Sequence, residues 1–225
     1  DVTIGGELTY EDVTNVDSVG FATFRKGINV QGAGSTTTTL NVTGVSTFGG
    51  NVSIADKIIH TGDTNTAIRF PAADTFTVET GGSERLRITS TGGFHFNNAE
   101  LIERVNIVAN KLSAVPNVNL DNGMVHYYTT NETTTANPNI ITTAGINTNM
   151  ATGDTMSVTI LSKPNSAGYF PRISIDGRLA GITTYWSGGS APSSAESSGV
   201  DVNTYQIIKT ADETFDVLAN TSNFA

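Results

Sequence analysis

Cysteine is absent from the 225 residues. That removes a disulfide scaffold, a zinc knuckle, an iron–sulfur site and a cysteine nucleophile. Charge is also scarce, at 15% of residues against roughly 25% in an average soluble domain. What charge there is leans acidic, with 12 Lys and Arg against 21 Asp and Glu, for a net −9. A general nucleic-acid binder draws its affinity from clustered cations on phosphates, so that class is excluded. No apolar run approaches the ~20 residues of a membrane-spanning helix, and membrane insertion is not expected. The chain opens at Asp1 with neither Met nor a basic-then-apolar leader. The expectation is a processed chain or, preferably, part of a longer polypeptide.

Small polar residues fill the space left by charge: 35 Thr and 21 Asn stand beside 23 Gly. Branching at Cβ restricts χ1 in a helix but packs well on a pleated sheet, so Thr, Val and Ile favour strands. Short runs alternate with period two, as in Thr75-Phe76-Thr77-Val78-Glu79, Arg85-Leu86-Arg87-Ile88, Met156-Ser157-Val158-Thr159-Ile160 and Arg172-Ile173-Ser174-Ile175. Turn chemistry bounds them, at Gly81-Gly82, Gly92-Gly93 and Asp176-Gly177. The fold class is all-β. One stretch carries two periods at once. Leu101, Val105, Val108, Leu112 and Val115 form a heptad-like stripe over 100–115, while Val105-Asn106-Ile107 alternates as a strand. Asn106, Asn110 and Ser113 are poor interior helix residues, which favours strand over a short helix or trimeric collar.

An internal repeat marks the first part of the chain. Gly20-Phe21-Ala22-Thr23-Phe24-Arg25-Lys26-Gly27-Ile28-Asn29-Val30 aligns with Gly44-Val45-Ser46-Thr47-Phe48-Gly49-Gly50-Asn51-Val52-Ser53-Ile54 at an offset of 24 residues. Such a unit has room for two or three strands but too few apolar residues to close a core alone. Two copies are too few for a solenoid, so the missing partners are expected to be other chains. This points to an intertwined homotrimeric β-rich shaft over 1–54, whose closure also hides sheet edges. The alternative is a pair of ordinary hairpins in a monomeric sandwich. Residues 55–97 read as a small β module. Residues 98–225, with longer strands and Asn-rich loops, read as a C-terminal β-sandwich or jelly-roll-like head. Its best hairpin signal is Ile175-Asp176-Gly177-Arg178.

Catalytic chemistry finds little footing. His60, His95 and His126 lack i, i+2 or i, i+4 partners, so no metal site is expected. In a trimer, one His per chain makes a ring. His95 lies between Phe94 and Phe96 and lines the axis if the two rings face the outer module. A glycan hydrolase needs two carboxylates about 5 to 10 Å apart across a sugar. Asp201 with Glu213, and Asp176 with Glu196, are candidates, but turn-capping acids are the better reading. No nucleophile elbow, phosphate loop or dinucleotide fingerprint occurs. No catalytic residue and no cofactor is expected. Glycan binding is the more credible activity, since it needs an exposed ring beside amides and carboxylates, often on loops. Tyr169, Tyr185 and Trp186 are the candidate ligand contacts, with a core-anchor role the alternative for Trp186. Alternation at Tyr127-Tyr128 predicts one buried and one exposed ring.

Several phrases are family-specific. Residues 5–20, reading Gly5-Gly6-Glu7-Leu8-Thr9-Tyr10-Glu11-Asp12-Val13-Thr14-Asn15-Val16-Asp17-Ser18-Val19-Gly20, resemble a recurrent segment of fibre-like structural proteins of tailed marine cyanobacterial phages. So does Gly62-Asp63-Thr64-Asn65-Thr66-Ala67-Ile68-Arg69-Phe70-Pro71-Ala72-Ala73-Asp74. Ser83-Glu84-Arg85-Leu86-Arg87-Ile88 is similar to a phrase near the C-terminal ends of phage fibres. Gly188-Gly189-Ser190-Ala191-Pro192 and Gln206-Ile207-Ile208-Lys209-Thr210 resemble C-terminal domains of proteins in the same phages. The resemblance implies a non-enzymatic, homotrimeric tail fibre of the extracellular virion, with a repetitive shaft and a globular head. Its implied partners are other virion proteins and a host-surface glycan. A capsid-bound head fibre or decoration protein is the alternative, and a glycan-degrading spike a third.

Overall fold

Period-two alternation becomes strand almost everywhere the sequence carries it. The computed structural model describes residues 42–225, and these are all-β. The first repeat copy, at 20–30, lies outside the described residues. The chain divides into two compact units, 1–58 and 59–225. In the first, the second repeat copy forms no strand over 44–54, contrary to the two or three strands expected of a repeat. Val45, Phe48 and Val52 are 93%, 68% and 50% exposed. A strand needs a neighbour for its backbone N–H and C=O groups, and these residues pair with none of the described residues.

A five-stranded sheet follows, in the order β1 (Lys57–His60), β2 (Asp63–Arg69), β3 (Phe76–Thr80), β4 (Ser83–Ile88), β5 (Phe94–Phe96). The strands β2 to β5 are antiparallel, and their register sorts side chains by face. Arg69, Thr77, Arg87 and His95 form one row. Thr77 is buried there, and Arg87 clamps Glu84 with two contacts of 2.8 and 2.5 Å. That guanidinium, helped by the Asn97 amide, holds the Glu84 carboxyl below its usual range. The other face is apolar. Ile68, Val78, Leu86 and Phe96 form one row, and Phe76, Ile88 and Phe94 the next. Phe70 packs edge-on to Phe76 at 6.0 Å. Nothing in the described chain covers this face fully, since Phe94 and Phe96 are 66% and 54% exposed.

From residue 105 the chain winds between two sheets. Strands β6 (Val105–Val108), β8 (Val125–Asn131) and β10 (Thr155–Lys163) lie parallel in one sheet. Strands β7 (Asn117–Asn119), β9 (Asn139–Ile141) and β11 (Ser174–Ile175) lie parallel in the other. Because the chain alternates between sheets at every step, 105–175 is a short, flattened β-solenoid. The sandwich is present, but its stacking is parallel where a jelly roll pairs antiparallel strands. Then β12 (Ile182–Trp186) takes the far edge of the first sheet, and the long hairpin of β13 (Val200–Ala211) and β14 (Thr214–Phe224) fills the gap. The resulting order is β12-β14-β13-β10-β8-β6. The 100–115 stretch resolves as strand over β6 and a 3-10 turn at Leu112–Ala114, with Leu112 fully buried. Asp176 and Gly177 both take the left-handed region, φ 50 and 76, as a tight reversal requires. Only a single bridge, Ile175 to Arg178, flanks that turn, so the strong hairpin lies at β13–β14 instead.

One core fills the space between the sheets. Val118, Ile140 and Ile175 stack from coil to coil, at 0%, 0% and 1% exposure. Beside them, Asn139 donates its amide to Asn117 at 2.9 Å and accepts from Ser174 Oγ at 3.1 Å. In-register parallel strands place counterparts directly above one another, which makes such side-chain ladders. Tyr128 is buried, as alternation predicts for one ring of the pair, while Tyr127 on the opposite face is half-buried where an exposed ring is expected. Most polar groups inside have partners, the exceptions among the described residues being the hydroxyls of Ser113 and Tyr205. The Glu132 carboxylate accepts from the backbone N–H groups of Leu112 and Ser113, at 2.6 and 3.0 Å. Gly168 must be glycine, because a Cβ there would lie 2.2 Å from the Cβ of Glu132. The single-turn helix α1 (Ile146–Asn149) is held at both ends. Asp176 accepts from Ile146 and Asn147 N–H, and the Lys209 ammonium donates to the Asn147 and Met150 carbonyls. Ile140 is the middle member of the apolar stack. Ile140→Ala is expected to cost about 2–5 kcal/mol, read as a lowered urea midpoint with unchanged m-value.

Candidate functional site

Alternation along β12 sends neighbouring aromatic residues to opposite faces. Trp186 turns inward, half-buried, and meets the buried Tyr205 ring edge-on at 6.3 Å. It is a core anchor that also reaches the rim of two surface hollows. Tyr185 turns outward and is 53% exposed. Strand register carries its row across the sheet, through Leu218 of β14 and Gln206 of β13 to Ser157 of β10. The neighbouring row brings Asn220, Thr204 and Thr159 together. The two rows floor a shallow hollow of about 530 Å³.

The chemistry of this hollow is neutral. Its lining has one exposed aromatic ring, one half-exposed Leu218, side-chain amides and hydroxyls, and no ionisable acid or base apart from the tyrosines. Gln206 is fastened on both sides. Ser157 Oγ donates to its Oε1, and its Nε2 donates to Thr155 Oγ1. An amide has two N–H donors and two acceptor lone pairs, so one of each stays open to a ligand. Asn220 is steadied by Ser222 Oγ at 3.1 Å.

The other candidate residues lie elsewhere. Tyr169 is half-buried in the loop before Phe170 and is not among the residues that line the hollow. His95 stands in the row with Arg87 and Thr77, across the sheet from Phe94 and Phe96. It therefore faces away from the apolar surface. An assembly axis that buries Phe94 and Phe96 leaves His95 outside. His126 is buried, its Nδ1 3.0 Å from the Asn106 amide and its Nε2 3.0 Å from the Gly123 carbonyl. That pattern fits a neutral ring with the proton on Nε2, and burial lowers its pKa. Among the described residues, no group of three or more His, Asp or Glu is placed to hold a metal ion.

Three of the four carboxylates weighed for hydrolysis, Asp176, Asp201 and Glu213, have structural tasks. Asp176 caps α1, and Glu213 is paired with Arg178 at 2.7 Å. Asp201 and Glu213 sit near opposite ends of β13, on the order of 30 Å apart at the rise of a strand. Asp201 is 5% exposed and accepts from the Asn223 amide at 2.8 Å. Burial pushes its pKa up, and the Glu196 charge adds to this.

Leu218, Gln206, Ser157, Thr204 and Asn220, which line the hollow, are not among the candidates that rings beside flexible loops bring out of the sequence. They come from three strands spread over more than 60 residues, and only lateral register brings them together. No family model matches this chain, and no curated protein or solved structure matches it either.

Asp201 yields a pH prediction. A carboxyl whose folded pKa is raised binds its proton more tightly in the folded state. Its contribution to stability is fully present below the unfolded value of ~3.9 and is lost as pH rises through the folded value. Asp201→Asn keeps the acceptor for Asn223 and removes the buried charge. The variant is expected to melt higher than the parent at pH 7, with the gap closing towards pH 3.5 in paired thermal melts.

Proposed function

We propose that this chain is a non-enzymatic structural fibre protein of a tailed bacteriophage, assembled as a homotrimer on the extracellular particle. On this reading it is a tail fibre, and its C-terminal head attaches to a host-surface glycan or docks on another virion protein. The observation that carries it is the apolar face of the five-stranded sheet. Eight side chains share that face or its margin: Ile68, Phe70, Phe76, Val78, Leu86, Ile88, Phe94 and Phe96. A monomeric protein rarely leaves so continuous an apolar surface open to water. The opposite face carries ion pairs around a buried Thr77, so the apolar residues are gathered on one side of the sheet. Copies of the same sheet around a threefold axis bury the open side, because each brings the same apolar rows to a common centre.

The repeated segment supports the same reading, with Val45, Phe48 and Val52 uncovered in the single chain. The resemblance to phage fibre phrases at 5–20, 62–74 and 83–88 supplies the particle. Attachment through three heads gains from multivalency, since the second and third contacts form at high effective concentration.

Light scattering behind gel filtration tests the assembly. Three chains of 23.6 kDa each are expected in one particle. Phe96→Glu places a charge in the middle of the buried surface, and monomers are expected from it, with the strand signal of the head unchanged by circular dichroism. A wild-type monomer at micromolar concentration overturns the trimer.

A further inference from the structure

The outer face of the six-stranded sheet is chemically divided. At one corner, Ile107, Tyr127, Leu161 and Val202 form an apolar row across β6, β8, β10 and β13. Towards the opposite corner, the row of Tyr185, Leu218, Gln206 and Ser157 mixes one ring with amide and hydroxyl groups. We propose that the hollow at Tyr185 is a binding subsite for a neutral saccharide, and that it selects against acidic sugars and phosphate. This deepens the attachment-fibre reading and rests on it.

Three features point to that ligand class. First, a pyranose has an apolar C–H face, and the negative face of an aromatic ring attracts it. Tyr185, with Leu218 beside it at 50% exposure, offers such a platform. Second, the hydroxyls at a sugar's rim need donors and acceptors set in fixed places. Gln206 is held by Ser157 and Thr155 yet keeps one N–H and one lone pair, so little freedom is lost when a ligand binds. Thr204 and Asn220 extend the polar rim in the next row. Third, the lining holds no cation to repay the desolvation of an anion. The nearest charged residue on the same face of β14 is Asp216, two residues before Leu218, and it repels one.

The scale and stiffness also fit. The row from Tyr185 to Ser157 spans four strands, three inter-strand steps or roughly 14 Å, which accommodates a short oligosaccharide. All four contributors sit on strands, and Trp186 wedged against Tyr205 fixes β12 from behind. A site on paired strands is set more rigidly than one on loops.

Saccharide titration of the intact protein, followed by isothermal calorimetry and by Tyr fluorescence, tests this. The probes are maltotriose, cellotriose and mannotriose as neutral ligands, and trigalacturonate and inorganic phosphate as acidic ones. At least one neutral trisaccharide is expected to bind at least tenfold more tightly than either acidic probe. Tyr185→Ala should lower that affinity tenfold or more, Tyr185→Phe should retain most of it, and Tyr169→Ala should leave it unchanged. Preference for an acidic probe, binding indifferent to Tyr185→Ala, or no binding of any neutral probe overturns the site. Light scattering on the same samples separates the two ideas. A trimer that ignores neutral saccharides sinks this site and leaves the fibre reading standing, whereas a saccharide-binding monomer does the reverse.

Discussion

Parallel, in-register stacking is the constraint on which the head depends. Once β6, β8 and β10 run the same way in one sheet, and β7, β9 and β11 in the other, each residue sits above its counterpart one coil earlier. A column is then either uniform in character or has to find partners for its polar members from the side. Val118, Ile140 and Ile175 satisfy this with aliphatic contact, and Asn117, Asn139 and Ser174 with side-chain hydrogen bonds. The first sheet has a mixed column of Asn106, His126 and Ile160, where the buried imidazole bonds the Asn106 amide and the Gly123 carbonyl and so avoids the cost of about 1–3 kcal/mol for an unpartnered buried group. The connections between coils are free to vary. From β6 to β8 the register advances 20 residues, from Val105 to Val125, and from β8 to β10 it advances 34, from Val125 to Thr159. Structure repeats here although sequence does not.

Coils of this kind end in open edges, and the chain treats its two ends differently. The outer edge of β10 is covered by β13, which pairs with it antiparallel over eight residues, and β14 doubles that cover. To make room, β12 sits two strand positions further out, parallel to β14. At the opposite end β6 pairs, among the described residues, only with β8, and Ile107 remains 69% exposed. An unpaired, apolar edge is a template for another strand. On the proposed trimer that edge and the apolar row behind it belong on the side turned towards neighbouring chains.

Much of this was legible in the chain. Strands such as Phe76–Thr80, Ile182–Trp186 and Val200–Ala211 announce themselves by alternation and by Gly or Asp at their ends, both local signals. Parallel pairing is not local. Nothing in Asn117-Val118-Asn119 and Asn139-Ile140-Ile141 says that they are neighbours until the chain between them has been folded. The Asp176-Gly177 signal does mark a reversal closed by an antiparallel bridge, but the long hairpin lies elsewhere, because turn chemistry sets the bend and not the length of pairing beyond it. The candidate site was half visible. Tyr185 and Trp186 were found as aromatic residues next to a glycine-rich loop, and alternation then assigns one ring to each face. Gln206 and Ser157 carried no signal of their own, since an amide or a hydroxyl on an exposed strand position is ordinary.

The scarcity of charge takes different meanings in the two β regions. In the head, a shared core lies between two sheets, so the outer face needs little charge to stay soluble and can offer neutral amides and hydroxyls around Tyr185. The five-stranded sheet has no second layer among the described residues, and of its eight apolar side chains Ile68, Phe70, Phe94 and Phe96 lie exposed and the other four half-buried. A lone sheet of that kind is stable only when its apolar side is buried, because the hydrophobic term at ~25 cal/mol per Å² is what opposes chain entropy. Its polar side is already closed by Arg87 with Glu84 and by Arg69 with Glu79 at 3.6 Å, and cannot supply the missing area. The deficit must therefore be met from outside this sheet. Repetition of one sequence in several copies of the chain meets it most simply, since each copy then supplies what the others lack.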